Sequence, residues 1–307
     1  MRKSIYIAGL IIAFTTIATL FRAQAELNDI LPKDAEVEKV GDGFAFVEGP
    51  AWHPGEEALY FTDIPRNQII RFKDGEFSIV TSESRGANGL MFDKTGALVM
   101  CEGGGRQMTR AKKAGGEREV LASTYEGKPL NSPNDLWLDA AGGMYFTDPR
   151  YGNRDSMEMD IEGVYYISND KKLKRLIADL VRPNGIALSP NGETLYVLDN
   201  GAGTLFAYPV NQPGVLGEGK KLADVPGPDG MTVDRNGRLY ITASDGVRVV
   251  SPAGELLGTI SVPEQPANCA FGGKDQDILY ITARKSLYRI PTKTRGWHIH
   301  RDGTPRP

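Results

Sequence analysis

One β-hairpin is written six times along these 307 residues, and that repetition limits the fold more than any other feature. The copies are "EGPAWHPGEEALYFTD" from Glu48, "NGLMFDKTGALVMCE" from Asn88 and "NDLWLDAAGGMYFTD" from Asn134. They continue with "NGIALSPNGETLYVLD" from Asn184, "DGMTVDRNGRLYITA" from Asp229 and "NCAFGGKDQDILYITA" from Asn268. Each has a polar opening residue, a short apolar strand, a Gly-containing turn and a second apolar strand. Successive openers are 40, 46, 50, 45 and 39 residues apart. Periods of about 40–50 residues with several short strands per unit mark β-propeller blades. Helical repeats of similar length do not fit, because the runs alternate with period two and are rich in Tyr, Val and Ile. Further strands are expected at "QIIRF" (68–72), "GVYYI" (163–167) and "TLFAY" (204–208), which makes four per blade. A strand near Val37 to Phe46 can join the last blade and close the ring. The expectation is an all-β, six-bladed β-propeller forming a single domain over residues 26–307.

Residues 1–25 stand apart. Arg2 and Lys3 precede an apolar run from Ile5 to Leu20, and "AQA" ends at Ala25. This is the pattern of a cleaved signal peptide, a retained anchor being the alternative, so the protein is expected to be exported to a periplasm or secreted. The net charge of −3 becomes −6 after removal of Arg2, Lys3 and Arg22. With no basic block, nucleic acid is not an expected partner, nor is stable membrane association expected of the mature chain. Cys101 and Cys269 lie in apolar strands of distant repeats and are expected to be buried free thiols.

In a propeller the first strand of each blade lines the central channel, and the start of that strand lies beside the end of the second. Asn134 should therefore face Asp148, Asp229 should face Ala243, and Glu48 should face Thr62 or Asp63. All six openers, Glu48, Asn88, Asn134, Asn184, Asp229 and Asn268, are thus expected around one mouth. Asn and Asp are common turn residues, but Glu48 does not fit a turn role. Two carboxylates and four amides offer oxygen ligands suited to a hard divalent cation, most simply Ca2+.

Histidine chemistry is not expected. His53 falls in a predicted hairpin turn remote from the openers, and His298 and His300 are expected to be exposed at the C-terminal edge. "EGGGR" (102–106) reads as a blade loop. What remains is metal-assisted hydrolysis, in which a cation polarises a carbonyl and a carboxylate takes a proton from water. An ester or lactone suits such a site. A propeller used as a protein-binding platform, with the cation as a structural plug, is the rival from another class.

The segment "YEGKPLNSPNDLWLDAAGGMYFTDPRYG" (125–152) resembles the signature region of bacterial gluconolactonases, in the senescence marker protein/regucalcin/gluconolactonase family. "EGPAW", "RPNGIALSP", "PDGMTVD" and "LYITA" extend the resemblance over residues 36 to 291. It implies a six-bladed, calcium-type propeller that hydrolyses a sugar lactone such as glucono-1,5-lactone; another lactone or a phosphotriester is the alternative substrate. It also implies that Glu48, Asn184 and Asp229 hold the metal, that Asn134 beside it contacts it directly, through water or through substrate, and that Asp229 is the general base. The regucalcin-like members carry Arg at the position of Ser132, so their sugar contacts do not transfer. Arg150 and Tyr151 are candidate substrate contacts; Asp148 is either a third or a structural hairpin residue.

Overall fold

Four-stranded antiparallel sheets follow one another along the chain and meet through their first strands, as six radial blades around an axis. The computed structural model describes residues 27–155 and 157–298; the predicted signal peptide, and His300, lie outside them. The first blade comprises Val47–His53, Ala58–Asp63, Gln68–Lys73 and Glu76–Thr81. The inner strands of the next four blades are Ala87–Phe92, Leu136–Leu138, Pro183–Leu188 and Met231–Val233. The predicted third strands are present as Gln68–Lys73, Gly163–Ile167 and Thr204–Gln212. Blade four adds the two-residue strand Val215–Leu216.

The sixth blade takes Pro266–Gly272, Ile278–Ala283 and Ser286–Pro291 from the end of the described chain and Glu38–Gly41 from its beginning. Glu38 pairs with Arg289 across this seam, and the Arg289 guanidinium grips the Glu38 carboxylate at 2.8 and 2.9 Å. The pair is largely exposed, so closure rests mainly on the strand ladder and the apolar residues beneath it rather than on this salt bridge.

The first two strands of each blade are almost wholly buried, whereas the outermost strands are largely exposed. A blade packed on both sides by neighbours needs apolar side chains on both faces near the axis. That is why the openers are followed by near-continuous apolar runs. Cys101 and Cys269 are buried free thiols within these runs, as expected.

Two repeated side chains tie blade to blade and segment to segment. The Thr of "FTD" and "ITA" reaches the next inner strand: Thr62 Oγ1 donates to Asn88 O at 3.1 Å, and Thr242 Oγ1 to Ala267 O at 2.8 Å. The carboxylate ending the second strand receives two backbone N–H groups from the segment entering the blade. Asp63 accepts from Ala45 and Phe46, Asp148 from Asn131 and Ser132, and Asp199 from Val181 and Arg182, at 2.7 to 3.1 Å.

Candidate active site at the axial mouth

The openers sit where the inner-strand ladder is broken. Register shifts lie between Glu48 and Ala51, Ala87 and Leu90, Pro183 and Ile186, and Pro266 and Asn268. In blades three and five the strand begins two residues after Asn134 and Asp229. A bulge re-aims the side chain it carries, so these polar groups can face the axis. Directly behind most openers is a glycine, whose backbone lies against the neighbouring inner strand. Gly185 N–H donates to Asp229 O at 2.8 Å, and Gly89 N–H to Asn134 O at 2.8 Å. The Asn-Gly pairs of the openers thus mark close backbone approach, whereas Asn191-Gly192 and Asn236-Gly237 lie in hairpin turns.

Glu48, Asn88, Asn134, Asn184 and Asp229 line one cavity of about 360 Å³ at this mouth, with Tyr151 at its edge. Asn268 does not. Its Oδ1 accepts the N–H of Cys269 at 2.8 Å and its amide nitrogen donates to Asp135 Oδ2 at 3.3 Å, which draws it into a layer beneath the floor. Five openers therefore line the cavity, and the sixth stands one layer below it, its amide shared between Asp135 and the Glu48 carboxylate. Glu48 lies across from Thr62, as expected, whereas the Asp229 N–H bonds to Thr242 O at 3.0 Å, one residue from the expected Ala243, because Asp229 and Gly230 together oppose Thr242.

The two carboxylates differ in access. Glu48 is 4% exposed, and burial first, then the neighbouring Asp229 charge, holds its carboxyl well above the usual range; the Gly49 N–H at 2.9 Å works the other way. Asp229 keeps part of its surface open to the cavity. Desolvation lifts its carboxyl to about 7, against the Asn184 amide that donates to Oδ1 at 2.7 Å. The same amide donates to the Tyr151 hydroxyl at 2.6 Å. Tyr151 is 39% exposed, its ring covered on one side by the Arg182 guanidinium at 5.3 Å, and burial of its hydroxyl raises the phenol above its ordinary range.

Asp148 and Arg150 do not line the cavity. The Asp148 carboxylate is fully buried and is the third copy of the clamp made by Asp63 and Asp199, so its alternative as a structural residue is the one its bonds describe. Arg150 donates to Asn131 O and Asn153 O, both at 2.9 Å, and thereby braces the loop that carries Tyr151. Asp148→Ala leaves two buried N–H groups without acceptors. It is expected to cost about 2–4 kcal/mol in urea-induced unfolding, while KM stays within about two-fold of the parent. A large rise in KM without loss of stability would restore Asp148 as a substrate contact.

Several residues of this region were not anticipated. Phe46, Ile64, Gly86, Gly103 and Gly104 form the blade-one and blade-two walls; only the glycine cluster of "EGGGR" was visible in the sequence, and it was read as a plain loop. Asp135 stands where four sister blades have glycine. It is buried, and desolvation raises its carboxyl to about 7. His298, expected to be exposed, is instead buried. The C-terminal segment returns across the far end of the channel, where Trp297 stacks on Trp137 at 6.0 Å and its N–H bonds to Val233 O at 3.1 Å. His53 lies at the opposite end of its strand from Glu48, accepting the Glu56 N–H at 3.0 Å, as a turn residue should.

The donor chemistry fits a hard cation. Among the described residues no three His, Cys, Asp or Glu side chains gather at one point, so carboxylates alone do not complete a site. Glu48 and Asp229 supply anionic oxygens and Asn184 and Asn134 supply amides around the same cavity, and no Lys or Arg lines it. A half-turn of the Asn184 amide exchanges its nitrogen for oxygen beside Asp229. Two buried carboxylates without a basic side chain between them form a site that a divalent ion would neutralise.

Residues 46–285 match the model of the SMP-30/gluconolactonase/LRE-like region. A gluconolactonase of Zymomonas mobilis is 33% identical over 317 aligned positions, covering 92% of this chain and 88% of its own. A pentonolactonase of Haloferax volcanii is 28% identical over 76% of this chain and 80% of its own. The solved structure of a gluconolactonase from Xanthomonas campestris is 34% identical and superposes with a TM-score of 0.82, over 87% of this chain and 93% of that one. The chain belongs to the SMP-30/gluconolactonase/LRE-like family.

Proposed function

We propose that this protein hydrolyses a sugar lactone, glucono-1,5-lactone being the first substrate to test, and that it does so with a divalent cation, Ca2+ by the chemistry of its oxygen donors. The observation that carries this reading is the convergence of Glu48, Asn184 and Asp229 from three blades on one cavity without a basic side chain in its lining. The gluconolactonase names of the Zymomonas and Xanthomonas relatives support the substrate class. Glu48, Asn184 and Asp229 would hold the ion, with Asn134 beside them. When bound, the ion supplies a Lewis acid for the lactone carbonyl.

The residues divide the remaining work by exposure and bonding. Both carboxylates line the cavity, but Glu48 is buried and suits a fixed ligand, whereas Asp229 is partly exposed and can meet water. Without the ion the Asn184 amide holds one Asp229 oxygen; with the amide turned and that oxygen given to the ion, the other Asp229 oxygen would be left to take a proton as the water oxygen bonds to the carbonyl carbon. Passing that proton to the ring oxygen as the C–O bond breaks gives the open-chain hydroxy acid. Tyr151, anchored through Asn184 and backed by Arg182, forms a wall against which a sugar ring can rest. The same proposal puts the reaction outside the cytoplasm, a reading supported by the signal-peptide pattern of residues 1–25.

Chelation tests the proposal. Gluconolactone hydrolysis should fall to the spontaneous rate with chelator and return when Ca2+ is restored in excess; full activity in chelator would refute cation dependence. A pH dependence follows as well. Because the Asp229 carboxyl is raised to about 7 and that of Glu48 is raised too, protons compete with the cation below that pH. Cation affinity should fall about ten-fold or more per unit as pH drops below about 7. Calorimetric titration in two buffers of different ionisation enthalpy would show proton release on binding at about pH 6; equal affinities at pH 6 and 8 would contradict it.

A further inference from the structure

We infer that Asn88 is the specificity-determining residue for the polyhydroxylated part of the substrate, accepting a hydrogen bond from a ring hydroxyl; this rests on the lactone-hydrolase reading above. Asn88 lines the mouth cavity. Its Oδ1 is buried and has no hydrogen-bond partner among the described residues. An orphaned buried acceptor is costly unless a ligand supplies the donor. The residue is also held in place: its carbonyl accepts the Thr62 hydroxyl at 3.1 Å, and the next residue, Gly89, donates to Asn134 O at 2.8 Å. Asn88 and Asn134 are thus fixed on adjacent inner strands, two amides side by side on the cavity floor.

Position in the ring decides what that acceptor meets. Asn88 belongs to blade two and Asp229 to blade five, which lie across the axis from each other in a six-bladed ring. A lactone with its carbonyl on the Asp229 side therefore extends its other ring carbons toward Asn88. The walls there are Gly86 and Gly104, which contribute no side chain, and apolar Phe46 and Ile64. They leave room for a ring; the Ser132 hydroxyl and the Asn134 amide also line the cavity but make no hydrogen bond to the Asn88 oxygen. A hydroxyl satisfies the Asn88 oxygen. A bare methylene leaves it unpaired, and a carboxylate at that position sets oxygen against oxygen. This is the kind of contact that discriminates strongly between hydroxylated and deoxy substrates.

The test compares glucono-1,5-lactone with unsubstituted δ-valerolactone at saturating Ca2+, for the parent, Asn88→Ala and Asn88→Ser. The ratio of kcat/KM for the two lactones should fall about ten-fold or more in both variants, mainly through KM for the hydroxylated lactone. Ca2+ affinity should be unchanged. An unchanged ratio overturns the inference, and so does a loss of Ca2+ affinity, which would make Asn88 a cation ligand. Melting temperature and the Ser variant separate these results from misfolding. If the parent turns over neither lactone, the lactone-hydrolase reading fails separately, and binding of the unreactive gluconolactam then decides for Asn88. Weaker lactam binding by both variants supports its role as a hydroxyl acceptor; equal binding, or none by the parent, overturns it.

Discussion

Replacing Asp229 by Asn is expected to lower kcat for lactone hydrolysis by about a thousand-fold, even at saturating Ca2+. The size follows from losing a positioned base, which contributes about 10²–10⁴ to rate. The substitution keeps an oxygen at the Asn184-facing position while removing both the proton acceptor and one of two buried charges. Cation affinity should weaken as well, so the informative measurement is kcat at cation concentrations well above the variant's own dissociation constant. A fall of less than about ten-fold under saturation would show that Asp229 only helps to hold the ion, and that the water is activated elsewhere. Glu48→Gln should behave differently. Glu48 is the more buried of the two carboxylates, so its loss should act mainly through cation affinity and be largely rescued by added Ca2+.

The largest expected effect on stability is at Gly49. Its φ of +49° lies in the left-handed region, and a Cβ built on it would stand 1.9 Å from Asn88 O and 2.8 Å from Asn88 C. Neither neighbour is a side chain that can swing away. Asn88 O is also tied to the Thr62 hydroxyl, on the strand that pairs with Glu48. Gly49→Ala must therefore push two inner strands apart at the axis, where blades one and two meet. It should cost about 4 kcal/mol or more, at the upper end of single-substitution effects. Gly75 is the matched control: its φ is +84°, and nothing lies within 4 Å of an added Cβ. Gly75→Ala should cost only about 1 kcal/mol, the backbone contribution alone. Similar unfolding midpoints for the two variants in urea would show that the ring tolerates expansion at its axis. Because Gly49 sits between Glu48 and the Asn88 backbone, cation binding in Gly49→Ala should fall together with stability.

Most of the architecture was legible because the repeat is explicit. Six openers at similar spacing gave the number of blades, and "TLFAY" and "GVYYI" gave the outer strands. The closing strand was legible from a spare strand candidate between Val37 and Phe46, within which Glu38–Gly41 pairs with the last blade. Spacing alone treats all openers alike, so it did not show that Asn268 would sit beneath the cavity floor, beside Glu48, rather than in its lining. Its departure comes from the neighbouring residue: Asp135, in blade three, replaces the glycine of sister copies and captures the Asn268 amide. The role of Asp148 could have been read from the repeated carboxylate of "YFTD", "YFTD" and "YVLD". A residue recurring at the same hairpin position in three blades points to the blade's construction before it points to a substrate. His298 had no such signal, since nothing in "GWHIH" says that Trp297 will find Trp137 across the channel.

The sequence by itself determined the six blades, the closure of the ring and the polar character of one mouth, because each depends on local pattern and on strand pairing between near neighbours. The tertiary structure alone decided which polar groups share a cavity, which carboxylate remains open to water and which amide oxygen lacks a partner. Those outcomes depend on burial and on contacts between blades that are remote in the chain. A bulge of one residue at Glu48 or Asn184 is enough to turn a side chain from the ladder to the axis. Such a turn is set by how the inner strands meet at the axis, which no single repeat contains.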